Sequence, residues 1–399
     1  MKKLGLLLAA LFLVGCGGSS GIENVSGGLD FENTNFLTTT TEVNRRFLFV
    51  FNRGESSVAA YLIGGEEDGG HDHVHGRILA QDAHDHGAVG EEEEFTELDG
   101  SPYTLGTSTL VDVAVDPEGQ FLVVLDQSGT LQSYGIDGVT GLLSMLDQQS
   151  TGVANPRLMG SSVRGHEGSN HEATVAVLGD SISIHEVSED GMFSEGSTRA
   201  GTNDWVDVAL DGRNGVASTA NGVASFQWAP GLDLFPFFEL ALPGSTRGGV
   251  TYSGSGVWVV NTENNSVSQL TQEANSEIAL VQTFALPASL TGPRLIAPLF
   301  EGEDLGVADD DTFVLLHPEP GTLDAESEVA LTRVPNRIFQ IPETARILLG
   351  HDIGEGTTIV EIGEDEMLEM HDEVGPGHLG PFGFGYAERM GTVTATGSF

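Results

Sequence analysis

The chain has 399 residues, 59 of them acidic and 16 basic, for a formal net charge of −43. A surface this acidic repels phosphate backbones and anionic headgroups, which excludes nucleic acid as a partner and membrane docking through basic patches. Hydrophobic residues at 39% leave enough apolar chain for a core, and 54 glycines against 15 prolines point to many tight turns between short strands.

The only lysines, Lys2 and Lys3, open the chain and precede an apolar run over residues 4–14. A positive start, a short apolar stretch and small residues before a cut describe a secretory signal, and the run is too short to span a bilayer. The leader ends in Leu13-Val14-Gly15-Cys16, which resembles the bacterial lipoprotein lipobox. That resemblance implies cleavage after residue 15 and lipidation of Cys16, which anchors the chain to a membrane of the cell envelope, facing periplasm or exterior. Cys16 is the only cysteine, so neither a disulfide nor a thiolate metal site is available. After the leader every basic residue is arginine. This suits solubility at high ionic strength, and it equally fits a coding bias from Lys to Arg. Residues 16–45, rich in Gly, Ser, Asn and Thr, are expected to be a flexible tether, with the folded domain at 46–399.

Within that domain, residues 64–94 interrupt the first strands with Glu66-Glu67-Asp68, His71-Asp72-His73-Val74-His75, His84-Asp85-His86 and Glu91-Glu92-Glu93-Glu94. Alternating histidines on an extended segment share one side, so His71, His73, His75, His84 and His86 are candidate ligands for Zn²⁺, Cu²⁺ or Ni²⁺. The alternative is a solvated acidic loop. No cofactor is required by anything else in the sequence.

From Arg46 onward short strands recur without helical periodicity. The clearest unit runs over residues 110–152: Val111-Asp-Val-Ala-Val115, the turn Asp116-Pro-Glu-Gly119, Phe121-Leu-Val-Val-Leu125, the turn Asp126-Gln-Ser-Gly129, then two further strands. Trp205-Val-Asp-Val-Ala-Leu-Asp211 repeats Leu110-Val-Asp-Val-Ala-Val-Asp116, and weaker copies start near Arg157, Arg247, Arg294 and Arg337. Four-stranded units at a spacing of about 45 residues are propeller blades. Residues 47–98 supply three strands and residues 380–386 a lone first strand. The predicted fold is therefore all-β: a seven-bladed β-propeller of four-stranded antiparallel blades, closed by N- and C-terminal strands sharing a blade.

Phe95-Thr-Glu-Leu-Asp-Gly-Ser-Pro-Tyr103, Val113-Ala-Val-Asp-Pro-Glu-Gly119, Ser133-Tyr-Gly-Ile-Asp137 and Thr140-Gly-Leu-Leu143 resemble the lactonase-type and YVTN-repeat seven-bladed propellers. The likeness is clear over about 47–152 and fades afterwards to repeat spacing. It implies the fold, and it admits both sugar-lactone hydrolases and propellers without a known reaction. The family often carries Pro-Arg-His at the blade junction. Here Pro-Arg is kept at Arg157 and Arg294, but Leu158 and Leu295 stand where His is expected.

Arg157, Arg247, Arg294 and Arg337 are predicted at the handover from each blade to the next, where they would ring one channel mouth and bind a carboxylate or phosphate. A clamp between each arginine and a neighbouring acid serves the same pattern. His378 sits in a similar place and is the one candidate general base. The acidic groups Glu301-Gly-Glu-Asp304, Asp309-Asp-Asp311 and Glu364-Asp-Glu366 lack the EF-hand order and read as solvated turns. There is no Gly-x-Ser-x-Gly elbow, phosphate-binding Gly-Lys-Ser/Thr loop or His-Glu-x-x-His. The leading expectation is a membrane-anchored, non-catalytic binding or scaffold module for a protein, glycan or small anion. The alternatives are a lactone hydrolase at the channel mouth and a transition-metal lipoprotein working through the insert.

Overall fold

The computed structural model describes residues 36–52, 56–64, 95–106, 109–116, 119–164, 172–194, 196–200, 204–228, 235–242, 248–254, 256–273, 276–342, 344–351, 356–363, 367–373 and 381–398. Cys16, Arg247, His378, Glu364-Asp-Glu366 and the histidines of the insert lie outside these residues.

Seven antiparallel sheets follow one another along the chain. The first blade takes β1 (Phe36–Asn52), β2 (Ser57–Ile63), β3 (Phe95–Glu97) and β4 (Tyr103–Thr104). The second holds β5 (Leu110–Val115), β6 (Phe121–Asp126), β7 (Thr130–Ile136) and β8 (Leu143–Ser150), and the third β9 (Leu158–Arg164), β10 (Glu172–Leu178), β11 (Ser181–Val187) and β12 (Ser197–Ala200). The fourth holds β13 (Trp205–Asp211), β14 (Asn214–Thr219), β15 (Gly222–Gln227) and β16 (Phe235–Ala241). The fifth follows with β17 (Val250–Ser253), β18 (Gly256–Asn261), β19 (Ser266–Gln272) and β20 (Ile278–Ala285). The sixth has β21 (Leu295–Leu299), β22 (Asp304–Ala308), β23 (Thr312–Glu319) and β24 (Thr322–Ala330), and the seventh β25 (Pro335–Gln340), β26 (Arg346–His351), β27 (Thr357–Ile362) and β28 (Leu368–Glu373). The last strand, β29 (Pro381–Ser398), pairs with β1 as the innermost strand of the first blade. The two chain ends thus share a blade, and the ring has no open edge.

The core is divided among the blade interfaces. The first and second blades bury Phe47, Phe49, Phe51, Leu122 and Val124 together. Six further clusters do the same round the ring, ending with Leu48, Tyr61, Ile341 and Leu348 between the seventh blade and the first. Strands buried on both faces, such as β2 and β6, read as continuous apolar runs because each face meets a different neighbouring blade.

Closure needs glycine. A Cβ on Gly385 of β29 would lie 1.9 Å from Cγ2 of Val115 on β5, so only the missing side chain lets the last strand pack against the second blade. The β1–β29 ladder also runs further than the blade requires, pairing Phe36 with Ser398 and Arg46 with Glu388. Residues 36–45, expected in a flexible tether, are therefore strand, paired with the C-terminal strand. Their Thr-rich sequence suits a pleated surface, but the partner lies at the far end of the chain.

Candidate functional site

Innermost strands run along the central channel, and at the end where they begin three charged side chains converge. Asp112 of β5, Asp207 of β13 and Arg337 of β25 each follow a bulge at the same place in their strands, after Leu110, Trp205 and Pro335. The bulge re-aims the side chain that follows it. The Arg337 guanidinium donates to Asp112 Oδ1 at 2.5 Å, with the arginine side chain 38% exposed and the aspartate 5%. Asp112 and, across the channel, Asp207 hold the guanidinium above the ordinary arginine range. Burial lifts the Asp207 carboxyl above its usual value, against the pull of the Val250 amide, Arg337 and the Val208 amide.

The two aspartates also tie blades together. Asp112 accepts hydrogen bonds from its neighbour Val113 N–H at 2.9 Å and, in the next blade, from Met159 N–H at 3.0 Å. Asp207 repeats this with Val208 N–H at 2.9 Å and Val250 N–H at 3.0 Å. The repeated Val-Asp-Val motif is thus an inter-blade latch, a role that the repeat marked without revealing.

The arginines predicted at the handovers divide. The backbone N–H groups of Arg157 and Arg294 donate to Leu178 and Ala308 at matching positions, as the repeat required. Both side chains are exposed, and Arg294 pairs with Asp310 at 2.6 Å. Arg337 lies instead inside the strand, in the channel. The Arg337 guanidinium is thus held by carboxylates in the channel, and Arg294 is offset by Asp310.

The described histidines serve other places. His185 is buried, hydrogen-bonded to Ser183 Oγ at 2.8 Å, and held below the usual imidazole range by burial. His351 is buried between the Val334 carbonyl and Thr358 Oγ1. His317 stands 2.6 Å from Asp304, and that hydrogen bond raises its pKa. Asp304 and Asp309, read from sequence as parts of solvated turns, are both only 2% exposed. Asp309 caps its turn by accepting from the Asp311 and Thr312 amides. Turn-forming acids are invisible as such in composition because their acceptors point back into the backbone.

At the opposite end of the innermost strands a cleft of about 420 Å³ opens between the fourth, fifth and sixth blades. Asp211, Asn214, Tyr252, Ser253, Gln272 and Gly302 are among its lining residues. Tyr252 Oη donates to Gln272 Oε1 at 2.7 Å, and Ser253 Oγ to the Gly302 carbonyl at 2.5 Å. Burial and the Asp211 charge push the Tyr252 phenol far above its ordinary pKa, so it stays a neutral donor. Sequence reading missed this cleft, which is assembled from hairpins of three blades.

Seven blades, closure through β29 and channel-lining innermost strands define a seven-bladed β-propeller. Among solved structures the chain is similar to the periplasmic gluconolactonase PpgL of Pseudomonas aeruginosa, at 17% identity and a TM-score of 0.61, covering 87% of this chain and 99% of that one. It is also similar to two Bacteroides proteins provisionally assigned as 6-phosphogluconolactonases. The one from B. uniformis is 14% identical with a TM-score of 0.64, covering 86% of this chain and 99% of that one. The one from B. fragilis is 13% identical with a TM-score of 0.60, covering 86% and 98%. No family model and no curated protein matches the sequence. At these identities the likeness is one of fold.

Proposed function

We infer that this chain is an extracytoplasmic binding propeller, lipid-anchored through Cys16, that takes a neutral polyhydroxylated ligand of the glycan class in the cleft between its fourth, fifth and sixth blades. The observation that carries this is the cleft lining. Asp211 offers a carboxylate acceptor, Asn214 and Gln272 offer amides, and Ser253 and Tyr252 offer hydroxyls, around a volume of about 420 Å³. Such a set matches the alternating donors and acceptors of vicinal hydroxyls. Among the three ligand classes admitted by the sequence, an anion is disfavoured by the chain's net charge of −43. The signal-like leader and the periplasmic neighbour support an extracytoplasmic setting. Among the described residues, no helix is long and apolar enough to cross a membrane.

The test is calorimetric titration of the full-length chain with neutral oligosaccharides. Binding that Tyr252→Ala or Asp211→Ala abolishes, with thermal stability retained, supports the reading. A blank across neutral glycans overturns it. The second reading, hydrolysis of a neutral sugar lactone at the channel, is favoured by the fold likeness to a gluconolactonase. It requires gluconolactone opening above the uncatalysed rate by the purified chain.

A further inference from the structure

The sixth blade carries a cluster that none of the preceding readings uses. Asp304 opens β22, His317 lies directly across from it on β23, and Glu326 sits on β24. Each offers one donor atom, and these atoms all lie within 4.8 Å of one another. The register explains the convergence. Leu315 faces Ser327 and Leu316 faces Ala325, so Glu326 is the extra residue of a β-bulge. In regular pleating Glu326 and Ser327 would point to opposite faces of the sheet; a bulge brings two consecutive side chains to one side.

The repeat supplies its own comparison, because the same bulge recurs in other blades. The positions equivalent to Asp304, His317 and Glu326 are Phe121, Gly135 and Leu146 in the second blade and Gly256, Thr271 and Val281 in the fifth. In the seventh they are Ile347, Val360 and Asp372. In the second and fifth blades the fold therefore works with uncharged residues at all three positions. Only the sixth of these four blades places a carboxylate, an imidazole and a second carboxylate there.

We propose that Asp304, His317 and Glu326 form a binding site for a divalent transition metal of the Zn²⁺ class. Two carboxylates and a neutral imidazole neutralise a divalent charge, and one nitrogen with two oxygen donors suits a borderline cation better than Ca²⁺ or Mg²⁺. The site is anchored at one side and open at the other: the Asp304 side chain is 3% exposed and that of His317 17%, while Glu326 is exposed. The Asp304–His317 pair is already in hydrogen-bond contact at 2.6 Å, so two of the three ligands are pre-positioned. Three protein ligands leave a fourth position for water or an incoming ligand. Gly302, two residues before Asp304, lines the cleft, so bound metal would also fix one cleft wall.

The proposal is independent of the glycan reading, and its test must exclude the insert. In the full-length chain, His71, His73, His75, His84 and His86 are all replaced by alanine, metal is stripped, and Zn²⁺ is titrated calorimetrically. The expected result is one Zn²⁺ per chain. Glu326→Gln added to that background should weaken binding at least about tenfold, and His317→Ala should remove it. If His317→Ala disturbs folding, Glu326→Gln decides alone, since it changes an exposed side chain without changing its size. Zinc should raise the thermal midpoint of the parent and not of His317→Ala. No zinc bound by the five-histidine variant, or equal binding with and without Glu326→Gln, overturns the proposal.

Discussion

Replacing Asp112 by alanine tests the reading of the Val-Asp-Val repeat as an inter-blade latch. Asp112 is the acceptor for the Met159 amide, at 3.0 Å, on a residue only 6% exposed. Leaving such a buried N–H without a partner costs about 1–3 kcal/mol. The ion pair with Arg337 adds about 1 kcal/mol or less, because the guanidinium is 38% exposed and screened. The expected loss is then about 3 kcal/mol. With an unfolding entropy of about 2.1 cal/mol/K per residue over about 350 residues, the thermal midpoint should fall by about 4 °C. Calorimetry reads the midpoint, and residue-resolved amide exchange reads the bond itself: the Met159 amide should lose protection while amides in the fifth blade keep theirs. Asp207→Ala should shift the loss to Val250, its equivalent. If Met159 protection is unchanged in Asp112→Ala, the latch reading is wrong, whatever the midpoint does.

Two further outcomes follow from the same structure. Gly385→Ala forces a Cβ into contact with Val115 at ring closure, so it should destabilise by about 1–3 kcal/mol and speed proteolysis near the chain termini; wild-type resistance would show that β29 does not pack there. His317 should titrate above the ordinary imidazole value by NMR in the metal-free chain, because the Asp304 hydrogen bond raises it. A raised histidine contributes its stabilisation in full below the unfolded pKa of about 6.5 and loses it as pH rises through the folded value. Asp304→Asn should bring the titration back down, and a His317 pKa at or below the ordinary value in the parent chain would contradict the pairing.

Much of the fold was legible because a propeller repeats it. The Leu110-Val-Asp-Val and Trp205-Val-Asp-Val copies and the blade spacing predicted innermost strands near 110, 157, 205, 247, 294 and 337, and the strands begin at Leu110, Leu158, Trp205, Val250, Leu295 and Pro335. The lone strand after residue 380 and the unpaired outer strands after residue 46 implied the shared closing blade. The candidate sites were far less legible. Arginine spacing placed Arg157 and Arg294 at the blade junctions, yet it gave no sign that Arg337 would face Asp112, 225 residues away.

What the sequence by itself determined is the part of this protein governed by local rules: alternating strands, tight turns, an acidic surface and a repeat that must close on itself. Tertiary structure alone decided the rest, for two physical reasons. Side-chain direction in a sheet depends on register, and one bulged residue in β24 is what sets Glu326 beside His317 and Asp304. Contacts across a ring join residues far apart in sequence, so the Arg337–Asp112 pair and the β1–β29 ladder exist only once the seventh blade has met the first, and the cleft only once the fourth, fifth and sixth blades have stacked.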